Sequence, residues 1–153
     1  MRIELTKRGD YAVRAMLALA ASRAGRLAAR QIAEAMDIPS SFVPQVMADL
    51  VRARLVERKM GRHGGYRLAM PAGEISLLSI IEAVEGDGRR RTCVLRGGPC
   101  GQPPEAPCSV HDSFFQAQQA LFDALGSMTL AGPATRLLAD AEWAEPPQHL
   151  PEH

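Results

Sequence analysis

Leu55-Val56-Glu57-Arg58-Lys59-Met60-Gly61-Arg62-His63-Gly64-Gly65-Tyr66-Arg67-Leu68-Ala69 is the stretch that decides the fold of this chain. Leu55 to Lys59 alternates as a strand does, the glycines at 61, 64 and 65 turn the chain, and Tyr66 to Ala69 returns as a second strand. Upstream, Phe42, Val43, Val46, Met47 and Leu50 share one face of a helix running from about Ser41 to Arg54. Asp37-Ile38-Pro39 separates it from an earlier helix, Ala29 to Met36, because the residue before a proline avoids the α region. A first helix covers Thr6 to Ser22 on the repeats Tyr11, Ala15, Leu19 and Met16, Ala20, and Gly25 closes it. Three helices followed by a hairpin is the order of a winged helix-turn-helix. There the third helix enters the major groove and the hairpin wing touches backbone or minor groove.

Pro44 is compatible with the third helix. With Ser41 as N-cap, Pro44 falls at N3, where the backbone N–H has no intrahelical partner to lose; Ser40 as cap would forfeit one bond.

Downstream, Ser76 begins a short helix over Leu77 to Val84, ended by Gly86. A cysteine-bearing loop fills about residues 87–108, and a long helix runs from Ser109 to about Ser127. Its apolar residues Phe114, Leu121, Leu125 and Met128 keep a four-three rhythm, with Gln118 in the gap and Phe115 and Phe122 widening the stripe. A stripe this wide after a compact domain predicts homodimerisation, and a twofold axis would present two recognition helices to a palindrome. A last short helix is predicted from Pro133 to Ala141, with a disordered tail beyond. The class is therefore mainly α with a small β-hairpin wing. Residues 1–86 form the winged domain, 87–108 the cysteine loop, 109–142 the dimerisation helix and terminal helix, and 143–153 the tail.

Charge is uneven. The net charge is +1, but residues 1–70 carry 13 Lys and Arg against 6 Asp and Glu, while residues 71–153 carry 5 against 11. A basic half beside an acidic half suggests that the first meets a polyanion. No apolar run approaches the roughly 20 residues that span a bilayer, and Met1-Arg2-Ile3-Glu4-Leu5-Thr6 lacks the apolar core of a signal peptide. A cytoplasmic protein without a membrane partner is expected. No Gly-rich phosphate loop, H-E-x-x-H or nucleophile elbow occurs, and a Cys108–His111 catalytic pair lacks an orienting group. The chain reads as a non-enzyme.

Ser40, Ser41 and Gln45, with Asp49 a turn on, lie on the polar side of the third helix; Gln can pair bidentately with adenine, and Ser can serve phosphate or base. Singly, each could be an ordinary exposed polar residue. Their position just before a basic hairpin favours DNA. In the wing, Arg58, Lys59, Arg62, His63 and Arg67 cluster within ten residues, and phosphate contacts made there add salt dependence rather than sequence information. The glycines let the backbone approach a groove. The predicted DNA-facing wing thus includes Gly64, Gly65 and Tyr66.

Cys93, Cys100 and Cys108 are the only cysteines and fall within sixteen residues, with His111 three positions further on. An odd number of thiols cannot all pair. Three soft donors on a coil, with a fourth to be supplied, suit a metal centre or an iron–sulfur cluster. Zinc or a thiol–disulfide switch at the same cysteines, or a redox carrier that does not bind DNA, are the competing readings.

Three segments together carry a family resemblance. Leu5-Thr6-Lys7-Arg8-Gly9-Asp10-Tyr11-Ala12-Val13-Arg14-Ala15, then Gly61-Arg62-His63-Gly64-Gly65-Tyr66-Arg67-Leu68-Ala69-Met70-Pro71, then Glu74-Ile75-Ser76-Leu77-Leu78-Ser79-Ile80-Ile81-Glu82-Ala83-Val84-Glu85-Gly86 resemble the Rrf-two family of bacterial transcription regulators, in its IscR-, NsrR- and RirA-like cysteine-containing branch. The resemblance covers about residues 1–131 and is most specific in the Gly64-Gly65-Tyr66 wing.

What the resemblance implies is a dimeric winged-helix regulator, a repressor by expectation, whose three loop cysteines hold a [2Fe-2S] or [4Fe-4S] cluster that alters affinity for a palindromic operator. Cys93, Cys100 and Cys108 occupy that place, with six and seven intervening residues where many relatives have five and five. For the fourth ligand the resemblance offers two positions. His111 stands as in the IscR branch, and Asp10 stands where the NsrR-like branch supplies an aspartate from the partner subunit; His111 is preferred, because carboxylate is a hard ligand for cluster iron. Pro44 replaces a glutamate that helps read the operator in some branches, so no operator sequence carries over.

Overall fold

The computed structural model describes residues 4–87, 98, 100 and 107–139. Its elements run α1 (Lys7–Ala21), α2 (Ala29–Met36), α3 (Val43–Arg52), β1 (Val56–Lys59), β2 (Gly65–Leu68), a 3-10 turn (Ala72–Glu74), α4 (Leu77–Glu85), α5 (His111–Ser127) and α6 (Ala131–Ala139).

Local chemistry sets most of these limits. Thr6 caps α1 by accepting the Gly9 amide on its hydroxyl at 3.1 Å, and Ser76 caps α4 by accepting Ser79 N–H at 3.1 Å. α2 has no side-chain cap at Ala28; instead Gln31 Oε1 reaches back to the Ala28 N–H at 2.7 Å. Asp37 and Arg54 adopt left-handed conformations (φ 50° and 60°) after α2 and α3. The next amide then reaches back into each helix, Ile38 to Ala33 and Leu55 to Leu50, both at 3.0 Å.

The start of α3 corrects the expected Ser41 cap. The helix begins at Val43, its cap position is Phe42, and no side chain caps it. A turn closed by Phe42 N–H on Pro39 O at 2.9 Å carries the chain in, so Ser40 and Ser41 belong to the turn. Pro44 then sits at N2, where its missing N–H again costs nothing.

The hairpin pairs antiparallel, Val56 with Leu68, Glu57 with Arg67, Arg58 with Tyr66 and Lys59 with Gly65. A third piece of backbone joins it: Leu27, between α1 and α2, exchanges two hydrogen bonds with Tyr66 at 3.0 and 2.8 Å. Gly65 makes this approach possible, since a Cβ there would lie 2.6 Å from Leu27 O, and its φ of +139° suits glycine.

One core runs through the three helices and the hairpin base, built on Met16, Leu27, Ile32, Met47, Leu50, Val56, Ile75 and Ile80. α6 packs on α1, and Leu130, just before it, is fully buried. The Ser76–Thr129 bridge joins the start of α4 to the end of α5, through Leu77 N–H on Met128 O (2.9 Å) and Leu130 N–H on Ile75 O (2.8 Å). α5 itself has no buried residue.

Candidate nucleic-acid interface and cysteine segment

Ser40, Ser41 and Gln45 are exposed at the head of α3. Gln45 Nε2 donates to Ser41 O at 3.1 Å, which ties the side chain to the entry turn. Beside them Phe42 remains 40% exposed and stands on Tyr11 of α1, with ring centroids 5.4 Å apart at 59°. Asp49 departs from its predicted place on the polar face. It is buried, and its carboxylate accepts from Arg8 of α1 and, at 2.8 Å, from Arg52 one turn on. It orients α3 and cannot reach a base.

In the wing, Arg58, Lys59, Arg62, His63 and Arg67 are all exposed, and Met60 at the tip is 73% exposed. Arg67 is held by Glu57 across the strands at 2.5 Å, and the Arg58 guanidinium lies 5.9 Å from the centre of the Tyr66 ring. Tyr66, expected to face DNA, is instead a core residue at 7% exposure. Its aromatic bulk fills the space beneath the hairpin. Gly64 and Gly65 likewise serve internal packing, because a Cβ on Gly64 would lie 2.5 Å from Lys59 O.

Of the cysteines, Cys93 lies outside the described residues, as do residues 88–97, 99 and 101–106 of the expected loop, residues 140–142 of the expected terminal helix and the expected tail at 143–153. Cys100 is buried, and its Sγ accepts the Cys108 amide at 3.3 Å. His111 opens α5, its amide donating to Cys108 O at 3.0 Å and its ring stacked on Phe115 with centroids 6.2 Å apart. Asp10 sits on α1 in an ion pair with Arg14 at 2.6 Å, and Arg14 also donates to Met36 O at 3.3 Å. Among the described residues, no three His, Cys, Asp or Glu side chains gather as a metal site.

Along α5, Phe114 (42%) and Met128 just after it (46%) are exposed, while Phe115, Leu121, Phe122 and Leu125 are half-buried. The helix meets α4, with Gly126 against Leu78. Among the described residues no helix is long and apolar enough to cross a membrane.

A helical triad whose third member carries an exposed polar head, followed by a short basic hairpin, defines a winged-helix protein. The family described as an iron-dependent transcriptional regulator, Rrf2, matches residues 5–133, and the chain belongs to it. A helix-turn-helix transcriptional regulator of Neisseria meningitidis serogroup A is 37% identical over 129 residues, 84% of this chain and 85% of that one. The structure of CymR, the global cysteine regulator of B. subtilis, superposes with a TM-score of 0.72 at 24% identity, covering 88% of this chain and 98% of that one. IscR of T. potens does so with a TM-score of 0.70 at 26% identity, covering 93% of each. The chain is a transcriptional regulator of the Rrf2 family.

Proposed function

We propose that this regulator binds duplex DNA as a homodimer and that its affinity is set by an iron–sulfur cluster held by Cys93, Cys100 and Cys108. The observation that carries the reading is the Cys108 N–H to Cys100 Sγ contact at the foot of α5, with Cys100 buried. Burial and amide bonds to sulfur are what a protein uses to tune such a group. The donors fit it: soft sulfurs on a segment leading into a helix that exposes an apolar stripe. The family description, iron-dependent, agrees. His111 is the proposed fourth ligand, because it follows Cys108 within one turn, whereas Asp10 is already engaged by Arg14.

Bound there, the group supplies a redox- and nitric-oxide-sensitive crosslink. The chain's own residues do the rest. Cys100 and Cys108 fix the entry to α5; Phe114, Phe115, Leu121, Phe122, Leu125 and Met128 pack on a second protomer. Ser40, Ser41 and Gln45 meet bases, and the wing cations Arg58, Lys59, Arg62, His63 and Arg67 meet phosphates. Gly64, Gly65 and Tyr66 act here by holding the wing in place. Two arrangements of the dimer with unequal DNA affinity are then exchanged as a population shift.

Anaerobic purification tests this. The wild type should be brown with visible absorbance and the Cys100→Ala variant colourless. A colourless wild type containing zinc, or a Cys100–Cys108 disulfide forming reversibly without iron, would replace the cluster with the competing chemistry. Footprinting on the DNA upstream of its own coding sequence should show a protected palindrome; a carrier protein gives none.

A further inference from the structure

Arg26 stands one residue before Leu27, whose backbone is bonded to Tyr66 in the hairpin. Leu27 goes into the core, 1% exposed, while Arg26 is half-buried beside the wing. There it lines a recess of about 230 Å³ with Glu57, Arg58, Lys59 and Arg67. Four cations face one acid, and that acid is engaged by Arg67 at 2.5 and 2.7 Å.

The Nη1 atom of Arg26 is buried from solvent and has no hydrogen-bond partner among the described residues. Buried donors are almost always satisfied, and a charged one left unpaired is costly. An acceptor arriving from outside resolves it. It must be anionic to enter among four cations, and compact to fill so small a space. Tetrahedral oxygens that take a guanidinium fork meet both conditions.

We propose that this recess is a phosphate-oxyanion site with Arg26 as its innermost donor. One source is a backbone phosphate of bound DNA, and that part rests on the DNA reading above. Arg26 is then a contact supplied from outside both the recognition helix and the wing. The other source is free phosphate or a phosphorylated small molecule.

The full-length protein and its Arg26→Gln and Arg26→Lys variants separate these. Thermal melts of the variants should not fall below that of the wild type, because no partner of Nη1 is lost and an unpaired buried charge is relieved. If the source is DNA, Arg26→Gln weakens binding to operator and to random duplex alike, by about tenfold. The slope of log affinity against log salt falls by about 0.9, and Arg26→Lys restores the slope. If the source is a free anion, calorimetric titration with inorganic phosphate gives heat with the wild type and none with Arg26→Gln, while the DNA slope stays the same. Wild-type DNA binding with an unchanged Arg26→Gln slope and no phosphate heat overturns the proposal and leaves the regulator reading standing. Should the wild type bind no DNA, the DNA reading fails, and the phosphate titration alone decides this one.

Discussion

Asp49 in the recognition helix and Arg8 in the first helix are bonded side chain to side chain, although 41 residues separate them in sequence. The carboxylate is 8% exposed and also takes Arg52. This joint sets the angle of α3 on α1, and with it the direction in which Ser40, Ser41 and Gln45 point.

Replacing Asp49 with Asn keeps the shape and removes the charge. Because Arg8 and Arg52 are 51% and 76% exposed, most of their solvation is already available, so the loss should be modest, about 1–2 kcal/mol. Urea unfolding measures it. A midpoint equal to wild type would show that the joint contributes nothing.

A second joint fixes the start of α1. Thr6 donates its hydroxyl to Glu85 Oε1 at 2.6 Å, at the end of α4, and Gly9 leaves room for that carboxylate, which a Cβ would strike. Gly9→Ala alone must push that flexible carboxylate off Thr6, so it should gain less stability than alanine normally brings to a helix. In a Glu85→Ala background the same change should stabilise it, by about 0.5–1 kcal/mol, because only the backbone-entropy gain remains. An equal effect in both backgrounds would rule out the contact as the reason for glycine.

These joints mark how far the sequence could be read. Helices were legible because their signals are local: the apolar repeats lie within one element, and Ser76, at the start of α4, sits three residues from the amide it accepts. Asp49 was misplaced because its partner Arg8 is remote, and a polar residue on a helix reads as exposed until its partner is known. Ser41 looked like a cap because Ser commonly is one, yet the Pro39–Phe42 turn had already fixed the entry geometry. The wing motif alone points Tyr66 at DNA; the Leu27 backbone that makes it a third-strand neighbour is far upstream in the chain. In the cysteine segment the structure joins Cys100 to Cys108 through an amide–sulfur bond, while Cys93 lies outside the described residues.

The wing makes an electrostatic prediction. Arg62→Ala should weaken binding across DNA sequences and flatten the salt slope by about 0.9. Glu57→Gln should do the reverse, since it releases Arg67 from an ion pair and leaves its charge for phosphate. Both are read from binding isotherms at several salt concentrations; unchanged slopes would remove the wing from the phosphate contacts.

The apolar stripe of α5 makes a prediction about mass. Leu121→Asp places a charge where a second protomer is expected, and α5 has no buried residue within one chain, so the monomer should still fold. Light scattering after gel filtration should halve the mass relative to wild type, with the helical content retained. An unaltered mass would place the dimer contact elsewhere.

The Ser76–Thr129 bridge gives α5 a pivot. Leu130, fully buried, holds one end of the pivot in the core, and the cysteine segment meets the other end at His111. With 17 residues, α5 is a lever about 25 Å long, so a shift of about 2 Å at Cys108 turns it by about 5°. In the homodimer proposed above, a twofold axis would double that angle between protomers. On that proposal, a small change of length at the cysteines would become a change of pitch between two DNA-reading heads, without any rearrangement inside either head.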